Sequence, residues 1–115
     1  MMMTIIVNDA PYGNERPWNA FRLASTSASE GNRVQLFLMG DSVASAKTGQ
    51  KTPESYYNME KMLTALIKKD VTVKVCGACI DARSLDTSSL VEGVGRGSMK
   101  ILNGWVTESD RVLCF

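Results

Sequence analysis

Short β-rich runs alternate with helix-patterned stretches along the whole of this chain. Thr4 to Asn8 is the first run, and it ends in the turn residues Asp9-Ala10-Pro11-Tyr12-Gly13-Asn14. A helix is expected next. Pro17 suits a first helical position, where its missing N–H costs nothing. Trp18, Phe21, Ala24 and Ala28 then recur at spacings of three and four, which gives one apolar stripe. Gly31 and Asn32 suit a left-handed helix end. Arg33 to Met39 reads as the second strand, and its last four residues, Leu36 to Met39, are all apolar. Such a run is expected of a strand buried on both faces of a parallel sheet.

Gly40-Asp41-Ser42 stops that strand, Val43 to Lys47 suits a short helix, and Thr48 to Tyr57 reads as an exposed loop. Asn58 is placed to cap a helix in which Met59, Met62, Leu63, Leu66 and Ile67 form an apolar face. Lys68 and Lys69 fall in its last turn, near the negative end of the helix dipole. Val71 to Cys76 is the third strand, broken by Gly77. A polar segment leads to Leu90–Val94, read as a helical turn and a brief fourth strand. Gly95-Arg96-Gly97 then makes a flexible loop. Ser98 caps a last helix with Met99, Leu102 and Val106 on one face and Trp105 beside it. Arg111 to Phe115 closes the chain as a strand. Strands and helices alternating in this way predict a mostly parallel sheet with helices on both faces.

At 115 residues the chain is expected to be one domain with a core that needs no disulfide staples. Its 13 Lys+Arg against 12 Asp+Glu leave a formal charge of +1. That balance argues against direct nucleic-acid binding or an anionic membrane surface. No apolar run approaches the roughly 18 residues that span a bilayer. The Met1–Val7 run lacks a basic flank and reads as a strand, not a signal peptide. Three cysteines, two of them close together, do not form a secreted disulfide framework. The expected setting is a reducing cytoplasm.

The chain has no histidine. Ser-His-Asp and Cys-His catalysis are therefore excluded, as is any zinc site with an imidazole ligand. Three cysteines cannot close a four-thiolate site either, so no metal and no cofactor is expected.

Cys76-Gly77-Ala78-Cys79 is the sharpest local feature, because it lies where a strand gives way to a loop. Ligands of open α/β sheets bind outside the carboxyl ends of the strands. A thiol near its free pKa is mostly protonated at neutral pH, so chemistry there needs a nearby positive charge. Arg83, seven residues on, is one source; Arg96 is another. The alternative is that Cys76 is only a small buried apolar residue at a strand end. Cys114, between Leu113 and Phe115, is expected in the core. Gly93 to Ser98 suggests flexibility, close subunit approach or an anion site at the Ser98 helix start. Asp9 to Gly13 is expected to be a rigid turn on the same sheet edge as Cys76.

These residues, in order and spacing, resemble the DsrE/DsrF-like family and its small YchN-type subgroup. The resemblance spans the chain. It is carried by Ala10-Pro11-Tyr12-Gly13, Arg22-Leu23-Ala24, Leu36-Phe37-Leu38-Met39, Gly49-Gln50-Lys51, Met62-Leu63, Cys76 and Cys79 with Asp81 and Arg83, Gly93-Val94, and Val112-Leu113 with Phe115. It implies an α/β three-layer sandwich with a parallel five-stranded sheet, assembled as a homo-oligomer, trimer or hexamer. It also implies sulfur relay, in which a cysteine takes sulfane sulfur as a persulfide from a donor protein and passes it to an acceptor. The family's active cysteine maps onto Cys76. Cys79 would resolve the persulfide and Arg83 would stabilise the thiolate. Ser84 stands where the family often has glycine, so that turn is expected to resist a left-handed conformation. Two other readings stay open: dithiol/disulfide redox at the same pair, and a non-enzymatic oligomer that binds a small ligand between subunits.

Overall fold

The computed structural model describes residues 1–115. Five strands form one sheet: β1 (Met2–Val7), β2 (Arg33–Leu38), β3 (Thr72–Cys76), β4 (Gly95–Gly97) and β5 (Arg111–Cys114). Their order is β4-β3-β2-β1-β5, and every neighbouring pair is parallel. Four α-helices connect them: α1 (Arg16–Ser29), α2 (Met59–Lys68), α3 (Gly77–Ala82) and α4 (Met99–Glu108). Short 3-10 helices cover Gly40–Ala46 and Thr87–Ser89.

Strand order explains how the helices are shared between the two faces. Each step from β1 to β4 moves one strand in the same direction, so right-handed crossovers place α1, α2 and α3 on one face. The step from β4 to β5 runs back across the whole sheet, and the same handedness puts α4 on the other. Side-chain alternation follows. Ile5, Val7, Val34, Leu36, Leu38, Val73 and Val75 point into the larger core, with Phe21 and Ala24 of α1, Met59, Leu63 and Leu66 of α2, and Ile80 of α3. Phe37 and Cys76 point the other way and meet only Leu102 and Trp105 of α4. The Phe37 and Trp105 rings pack edge to face, 5.8 Å apart.

Several helix ends are as the residues foretell. Asn58 Oδ1 accepts the Lys61 N–H at 3.0 Å, and Ser98 Oγ accepts the Ile101 N–H at 3.3 Å. Gly31 is left-handed with φ 92°, and Gly31 N–H and Asn32 N–H return to the Ala28 and Ser27 carbonyls. That double bond pattern satisfies the last carbonyls of α1.

Other expectations need correction. Gly77 does not break the chain after β3 but opens α3, so the C-x-x-C runs straight from strand into helix. Gly95-Arg96-Gly97 is not a flexible loop but the edge strand β4. Its glycines serve close packing within the chain: a Cβ on Gly97 would lie 2.7 Å from the Phe37 ring. Ser84 takes the left-handed conformation after all, with φ 54°, and the Ser84 and Leu85 N–H groups close the end of α3 onto Asp81 and Ile80. Met99 and Val106 are exposed rather than core, because α4 turns Leu102 and Trp105 to the sheet. Cys114 is exposed, not buried. It pairs with Ile6 on the α4 face of an edge strand, and α4 lies over Phe37 and Cys76 instead.

Candidate thiol site

Cys76 is the last residue of β3 and the cap position of α3, with extended backbone at φ −61° and ψ 119°. Cys79 lies three residues into the following turn, where i and i+3 side chains share a helix face. The two thiols are free, and the Cys76 side chain hydrogen-bonds Cys79. Their surroundings differ. Cys76 is 9% exposed, against Phe37, Leu102 and Trp105. Cys79 is half-buried and touches both cores at the carboxyl edge of the sheet.

The thiols are also held differently. Burial pushes the Cys76 thiol above its ordinary value of 9.0, and the hydrogen bond with Cys79 adds to this, while the backbone N–H groups of Cys79 and Ala78 pull it back. Cys79 Sγ instead receives the Gly40 N–H at 3.2 Å. Gly40 follows β2 with φ +58°, and a Cβ there would meet the Asn8 carbonyl at 3.2 Å. Glycine is what lets the end of β2 turn and present this donor.

Arg83 anchors the same corner. Its Nη1 donates to the Cys79 carbonyl at 3.1 Å, and its Nε and Nη2 donate to Asp41 Oδ1 at 3.1 and 2.8 Å. These bonds tie α3 to the Gly40–Asp41 turn that holds the Cys79 sulfur. They go to a carbonyl and a carboxylate, and none goes to a sulfur. Arg96 reaches the site from β4, which pairs Arg96 with Val75 and Gly97 with Cys76. Its Nη1 and Nη2 donate to Asp81 Oδ1 and Oδ2 at 3.0 and 2.7 Å. The fork holds the Asp81 carboxyl below its ordinary value, chiefly through that hydrogen bond. The partnership of Asp81 with Arg96 is invisible in the sequence without α3, which puts Asp81 four residues after Gly77.

The Asp9–Gly13 turn contributes to a different surface. Tyr12, left-handed at φ 67°, stacks on Tyr57 at 5.5 Å, and Tyr57 stacks on Trp18 at 4.8 Å. The Tyr12 hydroxyl donates to Gln50 and accepts the Met59 N–H at 2.9 Å. A cavity of about 490 Å³ opens beside it, lined by Tyr12, Gln50, Thr52, Tyr56 and Tyr57 among others. None of the surface cavities is lined by a cysteine.

The DsrE/DsrF-like family model matches residues 1–115. The chain belongs to the DsrE/DsrF-like family. This DsrE/DsrF-like chain is 38% identical over 115 residues to Protein YchN of Escherichia coli, covering 98% of the chain and 97% of that protein. It is 40% identical over 114 residues to an uncharacterised protein of Methanopyrus kandleri, covering 99% of the chain and 93% of that relative. The crystal structure of the E. coli YchN protein superimposes with a TM-score of 0.92, covering 100% of this chain and 99% of that one. The family is associated with sulfur relay, and the parallel five-stranded sheet is common to this chain and the YchN structure.

Proposed function

We propose that this protein is a sulfur carrier or sulfurtransferase that holds sulfane sulfur as a persulfide on Cys76. The observation that carries the reading is the contact of two free thiols at the carboxyl edge of a parallel sheet. Membership of a family associated with sulfur relay supports it. In loading, the Cys76 thiolate attacks the outer sulfur of a donor persulfide. The donor's S–S bond breaks, its thiolate leaves, and a Cys76–S–S bond forms with no net oxidation. In one route of release, an acceptor thiolate takes the outer sulfur by the same exchange. In the other, the Cys79 thiolate attacks the Cys76 sulfur, forming a Cys76–Cys79 disulfide and expelling hydrosulfide. That route then requires an external dithiol to return two electrons. Thiol exchange of this kind needs a thiolate and access, not a histidine base.

Arg83 serves this chemistry through position: it fixes the Cys79 carbonyl and the turn whose Gly40 N–H meets the Cys79 sulfur. Donor and acceptor proteins are the partners this reading requires, a homo-oligomer its expected assembly, and a reducing cytoplasm its setting. No helix is long and apolar enough to cross a membrane.

The test is incubation with a persulfide-loaded cysteine desulfurase or with thiosulfate, followed by peptide mass spectrometry. One added sulfur atom on Cys76, lost in Cys76→Ser, is expected. No added sulfur, with Cys76→Ser behaving as the parent, overturns the proposal. The adjacency of the thiols also favours a second reading, plain dithiol/disulfide cycling. It requires that mild oxidation join Cys76 to Cys79, and a pair that never forms a disulfide rejects it.

A further inference from the structure

We propose that Arg96 is the cation serving the sulfur of Cys76, and that Gly77 and Asp81 are the two positions that hold it there. The proposal deepens the sulfur-carrier reading, on which its use in transfer rests. A Cβ on Gly77 would lie 2.7 Å from Arg96 Cζ and Nε and 2.8 Å from Nη2. The guanidinium therefore rests on the backbone of the residue directly bonded to Cys76. Nothing else requires glycine at this place. Gly77 is not left-handed, and as the first residue of α3 it would gain helix propensity as alanine. The absent side chain is the seat of the guanidinium.

Asp81 supplies the second constraint. Its two oxygens meet Nη1 and Nη2 in a parallel fork, which fixes the plane of an arginine in a way that lysine cannot match. The side chains of the pair remain 50% and 61% exposed, so the cation stays open to whatever approaches the sulfur. Arg96 is held above its ordinary proton affinity first by the bond to Asp81, then by that carboxylate's charge, and also by the charge on Cys76.

The other groups around Cys76 leave this role to Arg96. Arg83 is committed to Asp41 and the Cys79 carbonyl. Lys74 Nζ lies over Gly95. Leu102 and Trp105, the α4 residues packed on Cys76, carry no charge. Cys79, the remaining titratable neighbour, opposes ionisation of Cys76. A negative charge develops on Cys76 whenever it attacks, and a persulfide is a stronger acid than its parent thiol. A fixed guanidinium favours both anions.

The test follows alkylation of Cys76 against pH in a Cys79→Ser background, resolved from Cys114 by peptide mass spectrometry. No sulfur donor is present, so failure here and failure of the persulfide assay are separate results. Arg96→Gln is expected to slow alkylation near neutral pH by about threefold to tenfold and to move the profile to higher pH. Gly77→Ala should do the same without changing any charge, and its thermal stability should hold or rise, which separates displacement of the cation from misfolding. Arg96→Lys keeps the charge, loses the fork, and should fall between. The Gly77→Ala/Arg96→Gln double variant should match Arg96→Gln alone, since both remove one interaction. An Arg96→Gln profile superimposed on the parent's overturns the proposal. A shifted Arg96→Gln profile beside an unshifted Gly77→Ala profile overturns the role given to Gly77.

Discussion

Cys76 illustrates how burial sets the chemistry of one atom. Its sulfur faces Phe37, Leu102 and Trp105, and removal from water disfavours the thiolate more than the nearby backbone N–H groups favour it. The folded protein therefore holds this proton above 9.0, whereas the unfolded chain releases it at the ordinary value. The sign follows from linkage: the stability this thiol contributes is complete below the unfolded value and is lost as pH rises through the folded one. Thermal melts should show the midpoint falling as the solution is made alkaline past 9.0. In Cys76→Ala that part of the fall should be missing. An identical alkaline profile in the two proteins would show that the thiol is not desolvated as described. The importance of Cys76 and Cys79 was legible in the sequence from their spacing at a strand end. The unequal environments of the two sulfurs were not, because Gly40 comes from another strand and Leu102 and Trp105 from another helix.

At the scale of elements, local chemistry was a good guide where an end carries its own partner. Asn58 is such a residue. Its Oδ1 caps α2, and its Nδ2 donates to the Gln50 carbonyl at 3.0 Å, which pins the end of the 48–57 loop. Asn58→Ala should cost about 1 kcal/mol, the usual worth of a cap, read from urea unfolding. Asn58→Asp keeps the capping oxygen and should recover most of it. Local chemistry misled where glycine was read as punctuation. Gly77 sits inside a strand-to-helix junction and Gly95 and Gly97 inside a strand. In each case the missing side chain makes room for a distant one: Arg96, Lys74 and Phe37. Arg83 shows the same limit. Seven residues from Cys76, it looked placed to meet the thiolate, but Asp41 from the far side of the site draws it to the Cys79 carbonyl.

Across the whole molecule, the two faces of the sheet are covered unequally. Three helices bury one face, and α4 alone serves the other. Met99 on α4 is 63% exposed, Val106 39%, and Val112 on β5 38%. The expected apolar face of α4 is thus split, with Leu102 and Trp105 inward and Met99 and Val106 outward. Apolar side chains left on this side, together with the assembly that the resemblance implies, lead us to expect an oligomer. Sedimentation equilibrium should give three or six times the mass of one chain; a monomer at micromolar concentration would reject this.

Periodicity alone determined the class of fold, because alternating β-rich and helical patterns of this length have few right-handed parallel solutions. It also separated the paired cysteines from the third by their position at a strand end. Tertiary structure decided everything that depends on which strand lies beside which. Only the order β4-β3-β2-β1-β5 sends α4 to the opposite face, exposes Cys114 at an edge, and lays β4 beside Cys76. Arg96 reaches the thiol through that pairing. Its seat on Gly77 and its fork with Asp81 are contacts across 19 and 15 positions of sequence, beyond the reach of any local pattern.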